Sequence, residues 1–248
     1  MIQSPVAYEA PKEQHVWDAI IAGAKAERRS CAKPLLPGRP AIIGGLQFQM
    51  PERYREILKT STPYAFIDRA PINGKLGSGI YRVIPNAYHC HWTEDRPRDR
   101  FERFGGNLRP WKRDGKHIVV LASSGTCNSF WGRPDWINET VRTLQAHTDR
   151  PILLREKGAE RPLEHALNGA HAVVSFVSMA AVEAAMMGIP VFADPMSPAS
   201  QIGLNDIRKI ETPIYPDRER WASTLGYWQF TVEEMRSGYC WSRVRERL

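Results

Sequence analysis

Hydrophobic and polar residues follow one another in a pattern that predicts repeated strand–helix units. Short apolar runs, typical of strands buried on both faces, alternate with stretches that carry apolar residues every three or four positions, typical of helices. Two blocks of this kind flank an irregular stretch at 70–116 that is rich in Gly, Pro, Arg and aromatic residues. The pattern predicts an α/β fold whose parallel sheets are covered by helices.

The first block predicts a strand, a glycine turn, a helix and a second strand. The predicted elements are a helix over 13–29, a strand over 41–43 that runs into Gly44 and Gly45, a helix over 50–59, and a strand over 64–67 that ends at Asp68. Strands are also expected over 81–84 and 86–92. A linker or long loop is expected over 95–113, within the stretch rich in Gly, Pro and Arg.

The second block predicts a more regular alternation of strands and helices. Strands are expected over 117–122, 151–155, 172–176 and 189–193, and helices over 134–147, 163–167 and 179–187. The irregular middle of the chain is a plausible domain boundary. We therefore expect an N-terminal domain at 1–115 and a C-terminal domain at 116–248.

Composition places the chain among globular proteins. Apolar residues make up 42% and charged residues 25% of its 248 residues. No apolar run approaches the ~20 residues of a membrane-spanning helix, so no membrane partner is expected. The first residues lack the basic start and apolar core of a signal peptide, which predicts a cytoplasmic protein. Four separated cysteines form no CxxC pair, and the lone His89-Cys90-His91 cluster lacks a second ligand pair, so no metal is expected.

The net charge of +7 raises the question of a polyanionic partner. Basic residues concentrate in one stretch, namely Arg96, Arg98, Arg100, Arg103, Arg109, Lys112, Arg113 and Lys116. One interpretation is a surface that binds nucleic acid such as DNA. The other is a solvated linker, because Asp99, Glu102 and Asp114 alternate with these cations.

Small polar and charged residues follow the predicted strands of the second block. In open α/β sheets, ligands bind at the carboxyl ends of the strands. The side chains expected there suit a phosphate group; they are Ser123, Ser124 and Gly125, then Arg155 and Lys157, then Ser175 and Ser178, and finally Asp194. A phosphorylated ligand is therefore predicted at this edge.

The helix expected over 179–187 carries one acid, Glu183, among apolar residues. Ser178 is expected to cap this helix, and the small residues after it leave backbone N–H groups open to an anion. Gly188 and Pro190 end the helix. If the helix is buried all round, Glu183 either meets a ligand or pairs with an arginine.

The segment from Ser175 to Val191 resembles the donor-binding domain of GT-B glycosyltransferases. The resemblance is good from His117 to Asp194 and implies two Rossmann-like domains with parallel sheets, the N-terminal one trimmed. It implies that the donor diphosphate lies at Ser178 and Met179, that Glu183 binds the donor ribose, and that Arg155 and Lys157 meet the diphosphate. It also implies a metal-independent enzyme with no cofactor, the nucleotide sugar being a co-substrate; no DxD pair is present.

The C-terminal tail, from Trp221 to Trp241, is rich in aromatic residues around Tyr227. This stretch resembles the end of small glycosyltransferase-like proteins encoded by bacteriophages. Thr231 and Glu234 predict a capping box and Gly238 predicts a helix stop. GT-B enzymes commonly end in a helix that returns to the first domain, so the same is expected here. With the basic stretch, this resemblance makes a hydroxymethylated base in phage DNA a candidate acceptor.

A catalytic base is expected from the N-terminal domain. Asp68 is the first candidate because it ends a strand, and His89 and His91 follow. Gly44 and Gly45 would let the backbone approach a donor or acceptor, or simply form a tight turn. The sequence leaves two alternatives to this enzyme: a surface-polysaccharide glycosyltransferase or sugar epimerase, and a non-catalytic nucleotide-binding module. It leaves the oligomeric state open.

Overall fold

The computed structural model describes residues 3–74, 77–156 and 158–248, and the chain divides into two compact units. Unit 1 comprises Met1–Cys90 together with Tyr227–Leu248, and unit 2 comprises His91–Gly226. The C-terminal tail therefore belongs to the same unit as the N-terminal residues. Residues 91–115 belong to unit 2.

Strands and helices alternate through most of the described residues. The strands are β1 (Val6–Glu9), β2 (Glu27–Ser30), β3 (Ala41–Gly44), β4 (Tyr64–Arg69), β5 (Ile80–Pro85), β6 (His117–Leu121), β7 (Ile152–Arg155), β8 (Ala170–Ser175), β9 (Val191–Ala193) and β10 (Gln229–Thr231). The helices are α1 (Gln14–Ala24), α2 (Met50–Thr60), α3 (Asp99–Arg103), α4 (Gly125–Phe130), α5 (Trp136–Gln145), α6 (Leu163–Leu167), α7 (Ala180–Met186), α8 (Glu219–Tyr227), α9 (Val232–Arg236) and α10 (Tyr239–Val244). Among the described residues, no helix is long and apolar enough to cross a membrane.

Unit 1 is built on a six-stranded sheet with the order β10-β5-β4-β3-β1-β2. Strands β1 to β4 are parallel, whereas β5 runs antiparallel to β4 and β10 antiparallel to β5. Apolar runs such as Ile42 and Ile43 in β3 are fully buried, because helices cover the sheet. The tail contributes β10 and so completes this sheet.

Unit 2 is built on an all-parallel sheet with the order β7-β6-β8-β9. Its register pairs Leu121 at the end of β6 with Arg155 of β7 and with Ser175 of β8, and pairs Ser175 with Ala193 of β9. The four strands therefore end at one edge, as the sequence predicted. The α/β fold with parallel sheets is confirmed.

The predicted capping box in the tail is confirmed at the start of α9. The Thr231 hydroxyl accepts a hydrogen bond from the Glu234 N–H at 3.1 Å, and the Glu234 carboxylate accepts one from the Thr231 N–H at 3.0 Å. Helix α9 then ends, and Gly238 has a φ of 85°. A Cβ at Gly23 of α1 would lie 1.8 Å from the Met235 carbonyl oxygen, so this glycine is what allows α1 and α9 to pack closely.

The helix predicted over 13–29 is wrong at its C-terminal end, over 25–29. Helix α1 ends at Ala24, where Lys25 adopts a left-handed φ of 51°, and β2 follows. Strand β2 is polar, with three charged residues and a serine at the sheet edge, and Arg28 pairs there with Glu9 and Asp18. Because β2 buries little, it carries no apolar signal from which a strand could be predicted.

Two predictions for the irregular middle also change. The strand predicted over 86–92 is absent from the described structure, because Asn86 takes a left-handed φ of 51° directly after β5 and turns the chain. As a result, His89 and His91 do not share a strand face. The predicted linker over 95–113 contains helix α3, whose Phe101 is fully buried in unit 2.

Candidate functional site

The sheet of unit 2 has a topological switch point between β6 and β8. The chain leaves β6 towards β7 on one side, and then returns from β7 to β8 on the other side of β6. The two connections therefore diverge where β6 and β8 end. Crevices at such points are where open α/β sheets bind their ligands.

Serine side chains organise the two loops at this switch point, residues 122–124 and 175–179, which we call the serine loops. The Ser123 hydroxyl accepts a hydrogen bond from the Val177 N–H at 3.5 Å, which links the two loops. Within the second loop, the Ser175 hydroxyl accepts from the Ser178 N–H at 3.1 Å. The Ser124 hydroxyl accepts from the Cys127 N–H at 3.3 Å and caps α4. The structure thus brings the predicted serines together.

The start of α7 differs by one residue from the prediction. The helix begins at Ala180, so the cap position is Met179 rather than Ser178. The Ser178 hydroxyl still accepts a hydrogen bond from the Ala180 N–H at 3.3 Å. Among the described residues no acceptor is found for the Met179 N–H, and Met179 is half-buried. This loop therefore offers one N–H and one hydroxyl to an anion.

Glu183 does not lie in a helix that is buried all round, and that premise of the prediction is wrong. Glu183 is exposed, whereas Val182 and Ala184 beside it are fully buried. Its N–H donates to the Met179 carbonyl at 3.4 Å, so the two residues are one helical turn apart on the same face. The carboxylate thus lies on the surface that continues the second serine loop.

Arg155 is engaged away from α7. Its guanidinium donates hydrogen bonds to the carbonyls of Arg161 at 2.6 Å and Ala159 at 3.4 Å, and so holds its own loop. Strand β6 separates its strand from β8, so the strand axes are roughly 10 Å apart. Lys157, the second predicted cation, lies outside the described residues. At β9, the Asp194 carboxylate accepts a hydrogen bond from the Met196 N–H at 3.0 Å.

The sheet of unit 1 has a switch point of its own, between β1 and β3. Gly44 ends β3, and a Cβ there would lie 2.8 Å from the Ile67 carbonyl oxygen and 3.4 Å from the Trp17 ring. Packing alone therefore requires this glycine. Gly45 has a φ of 66°, and a Cβ there would meet nothing within 4 Å. Only Gly45 of the two leaves space for another molecule.

The three predicted catalytic residues are in different surroundings. Asp68 accepts a hydrogen bond from the Arg69 N–H at 2.8 Å on one oxygen and from Arg82 at 3.2 Å on the other, and so holds a guanidinium that is 3% exposed. His89 is buried, with its ring edge-on to Tyr88 at 4.4 Å. His91 is exposed and belongs to unit 2.

A cluster that the sequence did not predict lies at the carboxyl ends of β1 and β4 in unit 1. Glu13 precedes α1 in a left-handed conformation with φ 54°, which is unusual for a glutamate. Its carboxylate lies 3.9 Å from the Arg69 guanidinium and interacts electrostatically with the Tyr81 hydroxyl. Burial, and next the charge of Glu13, raise the pKa of Tyr81 against the opposing effect of Arg69. We call Glu13, Arg69 and Tyr81 the unit 1 cluster.

The basic stretch is partly used inside unit 2. Arg96 pairs with Glu94 at 2.7 Å, Arg98 pairs with Glu219 at 3.0 Å, and the buried Arg100 donates to the Gly226 carbonyl at 3.2 Å. These three cations bind the fold itself, which weakens the interpretation of the stretch as a continuous polyanion surface. Among the described residues, no group of three or more His, Cys, Asp or Glu side chains is arranged to hold a metal ion.

No protein-family model matches the chain, and no curated protein matches it. Solved structures do. One of them is Thermosulfurimonas dismutans KpsC, beta Kdo 2,7 transferase, with a TM-score of 0.54 over 97% of this chain and 100% of that chain. Another is Thermosulfurimonas dismutans KpsC, beta Kdo 2,4 transferase, with a TM-score of 0.53 over 90% of this chain and 91% of that chain. The sequence identity is 12% in both cases, so the likeness shows a shared fold.

Proposed function

We propose that this protein is a glycosyltransferase that moves a sugar from a nucleotide-sugar donor to a hydroxyl acceptor. The observation that carries the proposal is the coincidence of the serine loops with the switch point of the unit 2 sheet. The fold that the chain shares with two transferases supports it. The resemblance of residues 175–191 to GT-B donor-binding domains supports the assignment of the donor to this place.

In this proposal the donor phosphate binds at the second serine loop. The Met179 N–H and the Ser178 hydroxyl are the groups offered to its oxygens. Glu183, one turn further along α7, accepts hydrogen bonds from the ribose hydroxyls. A carboxylate on an exposed helix face suits this role, because it accepts two hydrogen bonds without having to be desolvated in the free protein.

Transfer also needs a base that takes the proton of the acceptor hydroxyl. The hydroxyl oxygen then forms a bond to the donor sugar, and the nucleotide leaves with the electrons of the broken bond. Within unit 1, Glu13 is our first candidate for this base. Its nearest guanidinium is 3.9 Å away, beyond hydrogen-bond distance, whereas both oxygens of Asp68 already accept hydrogen bonds. Asp68, His89 and His91 stay as the sequence-based candidates.

Two acceptors are compatible with the proposal. A modified DNA base follows from the phage-like tail and the basic stretch, and a polysaccharide hydroxyl is the alternative acceptor. Transfer assays with hydroxymethylated DNA and with oligosaccharides in parallel separate the two. An enzyme that consumes the donor only with DNA, and loses activity as salt rises, supports the first form.

The proposal is tested first by measuring thermal unfolding in the presence of nucleotide sugars that differ in base and sugar. A ligand that binds only the folded state at ~100 times its Kd adds about 2.7 kcal/mol to the free energy of unfolding. We expect at least one nucleotide sugar to raise Tm, and the free sugar without nucleotide to leave it unchanged. If every nucleotide sugar leaves Tm unchanged, the proposed function is wrong. If a donor binds but is never consumed with any acceptor, the chain is instead a non-catalytic nucleotide-binding module.

A further inference from the structure

An extended segment that precedes β6 lies against the C-terminal end of α7. The Arg109 N–H donates to the Met186 carbonyl at 2.8 Å, and the Lys112 N–H donates to the Gly188 carbonyl at 2.7 Å. The last carbonyls of a helix have no partner inside the helix, so an outside donor satisfies and fixes them. This segment therefore anchors α7 from its end.

Gly188 makes this close approach possible. Its φ is 81°, and a Cβ there would lie 2.0 Å from the Pro110 carbonyl oxygen. The glycine that the sequence predicted as a helix stop therefore also admits a second backbone. Any larger residue would push the extended segment away from α7.

Arg218 joins the extended segment to the helix. Its guanidinium donates to the carbonyl of Ala185, in the last turn of α7, and to the carbonyl of Arg109 at 2.5 Å. It also stacks on the Trp111 ring, 3.9 Å from the ring centroid. Arg218 is only 7% exposed, and burial lowers its pKa against the opposing effect of Glu219 and Asp217. A cation buried at this cost is held in one place by its hydrogen bonds.

A second pair of stacked side chains, Arg113 on Tyr215, lies beside the first pair, Arg218 on Trp111. Trp111 donates its indole N–H to the Pro216 carbonyl at 2.9 Å and meets Tyr215 edge-on at 6.0 Å. Arg113 in turn stacks on Tyr215 at 4.0 Å. Residues 109–113 and 214–218 thus interlock, and we call them the α7 clamp. The clamp and the second serine loop hold opposite ends of one short helix.

We propose that Arg218 is a positioning residue that fixes α7 and thereby sets the affinity for the nucleotide-sugar donor. This inference rests on the proposed function, because the donor groups it positions are Met179 and Glu183. Helix α7 spans only 180–186, so a shift at its end moves the whole surface that carries Glu183. Lysine cannot replace Arg218, since a single ammonium neither bridges two carbonyls in a plane nor stacks on an indole.

The test compares Arg218→Lys with Arg100→Lys. Arg100 is an equally buried arginine of unit 2, 6% exposed, which donates to the Gly226 carbonyl and lies over the Phe104 ring at 5.2 Å. Hydrogen exchange of the Met187, Gly188 and Ile189 N–H groups reports on α7, because they donate to carbonyls of 183–185. We expect about tenfold faster exchange of these amides in Arg218→Lys and no change in Arg100→Lys. The donor KM should rise about tenfold in Arg218→Lys alone, with kcat changed less than about twofold.

Each outcome decides a different point. Unchanged exchange at α7 in Arg218→Lys overturns the inference, and so does faster exchange with an unchanged donor KM, since Arg218 would then be merely structural. If the wild type binds no nucleotide sugar, the proposed function fails, and hydrogen exchange still decides whether Arg218 holds α7. If Arg218→Lys does not fold, Trp111→Leu removes the stacked ring and should raise exchange and KM in the same direction. Unchanged values in that variant would overturn the inference.

Discussion

The two switch points carry different chemistry, although each lies between parallel strands of its sheet. In unit 2, hydroxyls and backbone N–H groups of the serine loops bind one another through neutral hydrogen bonds. In unit 1, the cluster contains a carboxylate, a guanidinium and a phenol that interact with one another. Neutral donors suit a phosphate, whereas a carboxylate in a charged cluster suits proton transfer. The same fold can therefore supply a binding surface in one unit and an acid–base group in the other.

The largest effect is expected from Glu13→Gln in unit 1. Removing a general base lowers kcat by about 10²–10⁴-fold, and glutamine keeps the shape of the side chain while it removes the charge. Donor affinity and Tm should stay near the wild-type values. Steady-state kinetics with the donor found by thermal unfolding checks this.

Asp68→Asn is the comparison variant for Glu13→Gln. It leaves the buried Arg82 without a charged partner, so we expect a lower Tm and a smaller loss of kcat than for Glu13→Gln. If Glu13→Gln keeps full turnover and Asp68→Asn abolishes it at a temperature where both are folded, Asp68 is the base. Unit 1 would then still supply the base and unit 2 the donor site, but the base would be Asp68 and not Glu13.

In unit 2, Ser178→Asp should weaken donor binding strongly without unfolding the protein. The new carboxylate can accept the hydrogen bond of the Ala180 N–H, as the serine does, and acids are favourable near a helix start. It repels the donor phosphate, and two unit charges ~4 Å apart at an effective dielectric constant of ~20 cost about 4 kcal/mol. After screening we expect a rise in Kd of about 100-fold, measured by calorimetry. If the folded variant binds the donor with unchanged affinity, the donor phosphate does not bind at the serine loops.

At alkaline pH, buried tyrosines of unit 1 should lower the free energy of unfolding. Burial raises the pKa of Tyr54, Tyr64 and Tyr81, all in unit 1. Because these folded pKa values lie above that of an unfolded tyrosine, ~10, their contribution is fully present below pH ~10 and is lost as the pH rises towards the folded values. We expect the unfolding free energy to fall above pH ~10. The fall should be smaller in Tyr54→Phe, while Tyr239→Phe, at an exposed tyrosine, should behave like the wild type.

The smallest effect is expected from removing metal ions. The resemblance to GT-B enzymes implies that no metal takes part, so turnover after dialysis against EDTA should stay within about twofold of the untreated value. Adding Mg²⁺ or Mn²⁺ back should change it no further. A loss that is restored by one of these ions would show that the donor phosphate is bound through a cation, and the neutral serine loops would then need a different explanation.

Sequence reasoning worked best where strands are buried on both faces. The runs that form β6 and β8 are continuous and apolar because these two strands are buried, and such runs can be recognised from the sequence alone. Since parallel strands end at one edge, the serines that follow them were correctly expected to lie together. That prediction needed no knowledge of strand order.

The rest of the site depended on information that local patterns do not carry. Strands β1 and β2 are short, and β2 is a charged edge strand, so the switch point of unit 1 and the position of Glu13 in it were missed. Glu183 was predicted to lie in a fully buried helix because alanine and methionine surround it in the sequence. The prediction failed because these residues are equally compatible with a half-exposed helix. The role of Arg218 depends on contacts with Ala185 and Arg109, which are distant in sequence.

The account depends most on the claim that the serine loops and α7 bind the donor. Calorimetric titration of the nucleotide sugar into Glu183→Ala, with Glu164→Ala as the control, tests it directly. Glu164 is an exposed glutamate on another short helix of unit 2. The account predicts a rise in Kd of at least about tenfold for Glu183→Ala, that is ~1.4 kcal/mol, and no change for Glu164→Ala. Equal affinity in the two variants would contradict it.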